Sequence, residues 1–208
     1  MLIPAILIVI TLHELSHGYA AYLLGDETAK NSGRLTFNPI AHIDIFGFLC
    51  MLVAGIGWAK PVPVSPYSFK LKNKKLGMAI TAVAGPLANL LIAFVFLFIR
   101  TILIIYCYDH AFLMGLASFL EITAIMSIGL MAFNLIPIPP LDGSKVLLPF
   151  LPGKVIELFY KYERFISIAF LIVLMLDLLD GVINFVVSWI LSGIMDLIIN
   201  IIIKVGII

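Results

Sequence analysis

The stretch "MLIPAILIVITLHELSHGYAAYLL", residues 1–24, predicts a membrane-spanning helix. It is long enough to cross a bilayer as a helix, which needs about 20 predominantly apolar residues. His13, Glu14 and His17 nevertheless lie in the second half of this run. Because ionisable groups are costly inside a membrane, three of them in one apolar helix indicate a functional site.

The composition of the whole chain agrees with a membrane location. Of its 208 residues, 62% are hydrophobic and 12% are charged, and the mean hydropathy is +1.17. Soluble domains carry about 25% charged residues. We therefore expect an integral, multi-pass protein of the cell membrane, in contact with the lipid bilayer. The formal net charge of +1 argues against nucleic acid as a partner, and nothing in the sequence indicates an oligomeric state.

The apolar runs predict an all-α polytopic membrane protein with about five to six transmembrane helices. The runs cover residues 1–24, 76–106, 111–136, 165–179 and 182–203. Lysines cluster between the first and second runs and again between the third and fourth. Under the positive-inside rule this places both clusters in the cytoplasm, with the N-terminus outside and the C-terminus inside after five spans.

Residues 45–68 are predicted to form a re-entrant, partly β-like segment. The apolar run 45–59 is too short to span a membrane. The following "KPVPVSP", residues 60–66, cannot be helical because its prolines lack the N–H group. Extended backbone persists at membrane depth only where it is buried in protein or lines a wet cavity.

His13, Glu14 and His17 have the H-E-x-x-H spacing of zinc hydrolases. Residues four apart stack on one face of a helix, so two imidazoles can reach one metal ion while the glutamate acts as general base. The alternatives are three polar side chains that satisfy one another between helices, or a proton relay.

A catalytic zinc usually has three protein ligands and one open position, so a third ligand is required. The ionisable candidates are Asp26, Glu27, His42, Asp109, His110, Glu121, Asp142, Asp177 and Asp180. Sidedness removes most of the later ones, whereas Asp142 follows a run that ends on the cytoplasmic side. The prolines before Asp142 and the glycine after it permit a turn that aims the carboxylate back toward the bundle. Geometry therefore favours Asp142.

Three motifs together resemble the site-2 protease family of intramembrane zinc metalloproteases, in a short form without a PDZ-like or regulatory domain. They are "HELSH" (13–17), "GPLAN" (85–89) and "NLIPIPPLDG" (134–143). The stretches "GRLTFNPIAHIDIFG" (33–47) and "GWAKPVPVSPYSF" (57–69) are also similar, so that the resemblance covers about residues 12–148.

The resemblance implies one zinc ion per chain, held by His13, His17 and Asp142, with Glu14 as the base. It also implies hydrolysis of a peptide bond in or near the transmembrane segment of a membrane-protein substrate, as in regulated intramembrane proteolysis. We expect a single metalloprotease domain over residues 1–208. Its catalytic core would cover about 1–150 and its C-terminal helices 160–205, with the active site toward the cytoplasm.

Four further residues are candidates for contacts with substrate. Asn134 matches the family's asparagine before the L-D-G motif and could stabilise the developing oxyanion or hold the substrate carbonyl. Asn89 is predicted to hydrogen-bond an unwound substrate. Gly55 and Gly57 belong to a segment whose strand edges could hold that peptide by strand addition. For both asparagines, a hydrogen bond that only joins two helices remains the alternative.

A membrane metal transporter, or another metal-binding membrane protein, is the alternative function. A transporter would place further ligands along a path across the bilayer, and the other apolar runs carry almost none. A lipid desaturase would need many more histidines than the four present.

Overall fold

A computed structural model describes residues 1–54 and 57–206, and every element of regular structure within them is helical. The predicted all-α fold is confirmed. In chain order the helices are α1 (Leu2–Leu23), α2 (Thr28–Asn31), α3 (Ile45–Ala54), α4 (Lys74–Cys107), α5 (Ala111–Asn134), α6 (Asp142–Leu147), α7 (Gly153–Met175) and α8 (Asp180–Val205).

Four helices in the described part of the chain, α1, α4, α5 and α8, are long and apolar enough to cross a membrane. The other predicted span, residues 165–179, lies largely in α7. This helix has 23 residues, but its N-terminal half carries Lys161, Glu163 and Arg164. Helix α7 is therefore polar at one end and apolar at the other, which is why the number of spanning helices by this measure is below the expected five to six.

Helices α1, α4 and α5 form the centre of the molecule. The turn between α4 and α5 covers only residues 108–110, so these two helices pack side by side as an antiparallel hairpin. Helix α1 packs on both, and α8 covers α5. Small residues such as Ala93 and Ala124 are fully buried between the helices and allow the backbones to approach closely.

The predicted re-entrant segment is part helix and part extended chain. Helix α3 occupies its first half. Residues 57–65 are non-helical, and their prolines favour extended backbone at the residues before them. In the described residues its β-like character is limited to one antiparallel bridge between Ile43 and Ala59, next to a hydrogen bond from the Lys60 N–H to the His42 carbonyl at 3.0 Å. Gly57 begins the extended stretch, whereas Gly55 lies outside the described residues.

Candidate metal centre

His13 and His17 lie one turn apart on the buried face of α1. Their exposed fractions are 4% and 8%. The two Nε2 atoms are 3.0 Å apart, and the rings meet edge to face with their centroids 4.6 Å apart. The spacing of four residues thus brings the two imidazole nitrogens to one point, as the sequence predicts.

Asp142 is the first residue of α6, and its carboxylate lies at the same point as the two Nε2 atoms. Its Oδ2 atom lies 3.2 Å from His13 Nε2 and 3.0 Å from His17 Nε2. Gly143 makes this possible, because a Cβ atom there would lie 2.3 Å from the Leu135 carbonyl oxygen. The predicted tight turn is therefore a close contact between the start of α6 and the end of α5.

The charge of Asp142 is balanced on both sides of its carboxylate. Oδ2 faces the two imidazoles, while Oδ1 lies 3.6 Å from Lys145 Nζ. Burial raises the pKa of the Asp142 carboxyl, but hydrogen bonds with His13 and His17 outweigh that effect and bring the pKa well below its usual value. The group is therefore an ionised carboxylate, which is the form that binds metals.

The three side chains fit a zinc ion. Two imidazole nitrogens and one carboxylate oxygen are a ligand set of catalytic zinc sites, and tetrahedral zinc places its ligand atoms about 3.3–3.4 Å from one another. The separations of 3.0–3.2 Å between these atoms are close to that value. In the described residues, no other group of at least three His, Cys, Asp or Glu side chains brings its ligand atoms within 4.8 Å of one another.

Helix α4 fixes the orientation of His17. The His17 Nδ1–H donates to the Thr81 carbonyl at 2.7 Å. The Thr81 carbonyl is next to that of Ala82, whose usual helical donor is missing because Pro86 has no N–H. A neutral His17 that keeps its proton on Nδ1 would present the lone pair of Nε2 to a metal ion.

Gly85 lets α4 approach both imidazoles. A Cβ atom at this position would lie 2.4 Å from His17 Nε2 and 2.7 Å from His13 Cε1. Real Cβ atoms do not come so close to ring atoms, so a glycine is needed where the rings lie against the helix. Gly85 therefore serves close packing, in agreement with the small-residue pattern of this part of α4.

Glu14 is half-buried beside the ligand group and contacts the extended segment. Its Oε2 atom accepts a hydrogen bond from the Val62 N–H at 3.0 Å. Arg34, only 6% exposed, holds the same segment through the Lys60 and Pro61 carbonyl oxygens. Burial lowers the pKa of the Arg34 guanidinium, and the nearby negative charge of Glu14 opposes that shift.

The candidate substrate residues differ in their exposure to solvent. Asn134, the last residue of α5, is half-buried, and its Nδ2 donates to the Leu130 carbonyl of its own helix at 3.0 Å. Gly57 is exposed. Asn89 is 0% exposed, and its Nδ2 lies 3.1 Å from His13 Nδ1. Asn89 thus contacts a candidate ligand rather than an open surface.

The contacts of Thr81, Val62 and Arg34 are not predictable from the residue pattern. Thr81 and Val62 act through backbone atoms, which no pattern of side chains reveals. Arg34 lies within the stretch "GRLTFNPIAHIDIFG" that resembles the site-2 proteases, and that stretch was the one available signal for it.

The model of peptidase family M50 matches residues 100–176, which include Asp142. The chain is 40% identical over 174 residues to "Putative zinc metalloprotease YwhC" of Bacillus subtilis, covering 83% of this chain and 78% of that protein. It is 30% identical over 161 residues to "Putative zinc metalloprotease Rip2" of Mycolicibacterium smegmatis, covering 73% and 57%. For the protein of that name in Mycobacterium tuberculosis strain H37Rv, the identity is 29% over 183 residues, covering 85% and 66%.

No solved structure matches the chain. The relative from Bacillus subtilis is nonetheless similar over most of both proteins, and the family model covers the L-D-G motif and the helices on either side of it. The resemblance carried by the three motifs is thus confirmed, and the chain belongs to peptidase family M50, the site-2 protease family.

Proposed function

We propose that this chain is an intramembrane zinc metalloprotease that hydrolyses a peptide bond in or near the transmembrane segment of a membrane protein. The observation that carries the proposal is the convergence of His13 Nε2, His17 Nε2 and Asp142 Oδ2 within 3.2 Å, beside the carboxylate of Glu14. Membership of family M50 and the names of the relatives support zinc-dependent peptide hydrolysis. No observation favours a transporter.

His13, His17 and Asp142 would hold one zinc ion per chain. When bound, zinc polarises a carbonyl group and lowers the pKa of water toward neutrality. Glu14 takes the proton from the attacking water and delivers it to the leaving amine as the peptide bond breaks. The Val62 N–H keeps the carboxylate of Glu14 in place beside the ligands.

Asn134 would stabilise the carbonyl oxygen that becomes negative during attack. Its place at the end of α5, eight residues before Asp142 in the chain, supports this role. The amide now donates to the Leu130 carbonyl of its own helix. A rotation of the side chain would redirect that donor to a substrate, where a hydrogen bond to the developing charge contributes to the rate.

The extended residues 57–65 would bind the unwound substrate as an added strand. Pro61 and Pro63 have no N–H, and the N–H of Val62 is taken by Glu14. In the described part of the chain, the Val64 N–H has no hydrogen-bond partner. It is therefore available to a peptide backbone. We propose that Gly55 and Gly57, at the start of this segment, also contact the substrate.

The chain is a multi-pass membrane protein, and we propose that its active site faces the cytoplasm. The basic residues that follow Asp142 support this side, because cytoplasmic loops are enriched in lysine and arginine. They are Lys145, Lys154, Lys161 and Arg164. We also propose that residues 1–208 form one domain with its core at 1–150. The packing of α1, α4, α5 and α6 around the ligand group supports such a core.

The test is cleavage of a transmembrane peptide by the purified protein in detergent. We expect cleavage that stops on chelation and returns with added zinc. The Glu14→Gln variant should keep its zinc and lose about 100-fold or more of its activity, since general-base catalysis contributes factors of about 10²–10⁴. Cleavage by Glu14→Gln at the wild-type rate would contradict the mechanism. Zinc flux into vesicles without peptide cleavage would favour a transporter instead.

A further inference from the structure

Asn89 is buried at the centre of the molecule and meets the imidazole of His13 on the side away from the ligand group. The amide is 0% exposed. Its Nδ2 atom is 3.1 Å from His13 Nδ1, while Oδ1 is buried without a hydrogen-bond partner. A buried amide oxygen without a partner is unfavourable, because it has lost its hydrogen bonds to water. The arrangement therefore raises the question of which amide atom faces the ring when the site is loaded.

The ligand group answers that question. A histidine that binds a metal through Nε2 carries its proton on Nδ1, and that N–H needs an acceptor. An amide NH2 facing an imidazole N–H would bring two donors together. Turning the Asn89 amide by 180° places Oδ1 against His13 Nδ1, so that a donor meets an acceptor.

Helix α4 provides the same function for the other imidazole. The Thr81 carbonyl accepts from His17 Nδ1–H, and Gly85 lies in contact with both rings. Thr81, Gly85 and Asn89 are spaced by four residues, which puts them in one line along the helix. One face of α4 thus places the Thr81 carbonyl against His17, Gly85 against both rings and the Asn89 amide against His13.

The position of Asn89 is itself fixed from α5. The Ser127 Oγ–H donates to the Asn89 carbonyl oxygen at 2.9 Å, and Ser127 is 0% exposed. This hydrogen bond holds the backbone of α4 at the level of His13. Because it uses the main-chain carbonyl of Asn89, the side-chain amide is free to bond to the imidazole.

We propose that Asn89 is a positioning residue for zinc: its Oδ1 accepts from His13 Nδ1–H and holds the ring with Nε2 toward the ion. The proposal depends on the zinc site described under Proposed function. In this proposal Asn89 contacts the proposed zinc ligand His13, whereas the sequence predicts a contact between Asn89 and the unwound substrate. The two roles predict different effects, because a positioning residue changes zinc affinity whereas a substrate contact changes KM.

The experiment measures the zinc affinity of the full chain in detergent by competition with a chelator. Asn89→Leu fills the space without an acceptor, and Asn89→Asp keeps an acceptor oxygen. We expect a loss of about 10- to 100-fold in zinc affinity for Asn89→Leu and recovery to within about threefold of wild type for Asn89→Asp. Thr123→Val is the matched control, because it removes a buried hydroxyl that donates only within α5, to the Phe119 carbonyl. Its zinc affinity should also stay within about threefold of wild type.

Two further readouts separate positioning from folding. The visible spectrum of the cobalt-loaded protein should change for Asn89→Leu, because the ligand geometry changes, while the unfolding temperature of the metal-free protein stays near that of wild type. Wild-type zinc affinity in Asn89→Leu, or equal losses in Asn89→Leu and Asn89→Asp, would overturn the proposal. A wild-type protein that binds no zinc would instead overturn the proposed function.

Discussion

The Val62 N–H donates to Glu14 Oε2 at 3.0 Å, across a separation of 48 residues in the chain. This hydrogen bond connects the proposed base on α1 to the proline-rich extended segment. Arg34 holds the same segment through two carbonyl oxygens. The position of the carboxylate therefore depends on a stretch of chain that is neither helix nor metal ligand.

Val62→Pro removes this N–H and should lower kcat while zinc affinity stays unchanged. A hydrogen bond to a charged group is worth about 1.5–3 kcal/mol, which corresponds to about a 10- to 100-fold change. Steady-state cleavage of a transmembrane peptide, together with zinc content, measures both. Val64→Pro is the matched comparison, because it removes an N–H that no described group accepts, and it should raise KM. A wild-type kcat for Val62→Pro would remove Val62 from the positioning of Glu14.

Gly85→Ala should abolish zinc binding. The added methyl group would lie 2.4 Å from His17 Nε2, so either α4 or the imidazoles must move. Gly129→Ala is the control, because nothing lies within 4 Å of its Cβ position on α5. The Gly129→Ala variant should keep its zinc, and its free energy of unfolding should rise by up to about 1 kcal/mol because alanine favours a helix more than glycine does. Metal analysis of the purified proteins tests this, and full zinc content in Gly85→Ala would contradict the close contact.

Asp142→Ala should weaken zinc binding by more than about 100-fold, a larger effect than the loss of an outer hydrogen-bond partner. Lys145→Ala removes the ion pair between Lys145 and Oδ1 of the same carboxylate. It should change zinc affinity by no more than about threefold, because exposed ion pairs contribute little. Chelator competition compares the two variants. Similar affinities for both would mean that Asp142 is not a ligand.

Arg100 and Glu121 form an ion pair between α4 and α5, with 3.2 Å between Nη2 and Oε1. We expect it to stabilise the helix hairpin by about 1 kcal/mol and to leave zinc affinity unchanged. A double-mutant cycle with Arg100→Leu and Glu121→Leu, followed by unfolding in detergent, measures the coupling. A change in zinc affinity in either variant would link the pair to the metal centre, as a transport path would require.

The approach of His13 to His17 is predictable from the sequence, because residues four apart lie on one face of a helix. Asp142 is distant in the chain, and the sidedness of the apolar runs, the turn-forming residues around it and the L-D-G motif are what indicate it as a third ligand. The all-α fold follows from the apolar runs. These features depend on hydrophobic periodicity and on helix-breaking residues, both of which are visible in the sequence.

The rest depends on contacts between distant parts of the chain. The bond from Val62 to Glu14 and the bond from His17 to Thr81 use backbone atoms, which carry no residue-type signal. The contact of Asn89 with His13 depends on how α4 is rotated against α1. Helix α7 combines a charged half with an apolar half, and composition alone does not fix where such a helix begins.

The long separation between the proposed ligands has a consequence for biosynthesis. His17 and Asp142 are 125 residues apart (142 − 17), so the ribosome releases two of the donors well before the third. During translation the first histidines enter the membrane without their acidic partner. A metal centre built from His13, His17 and Asp142 would therefore stay incomplete until α6 has docked against α4.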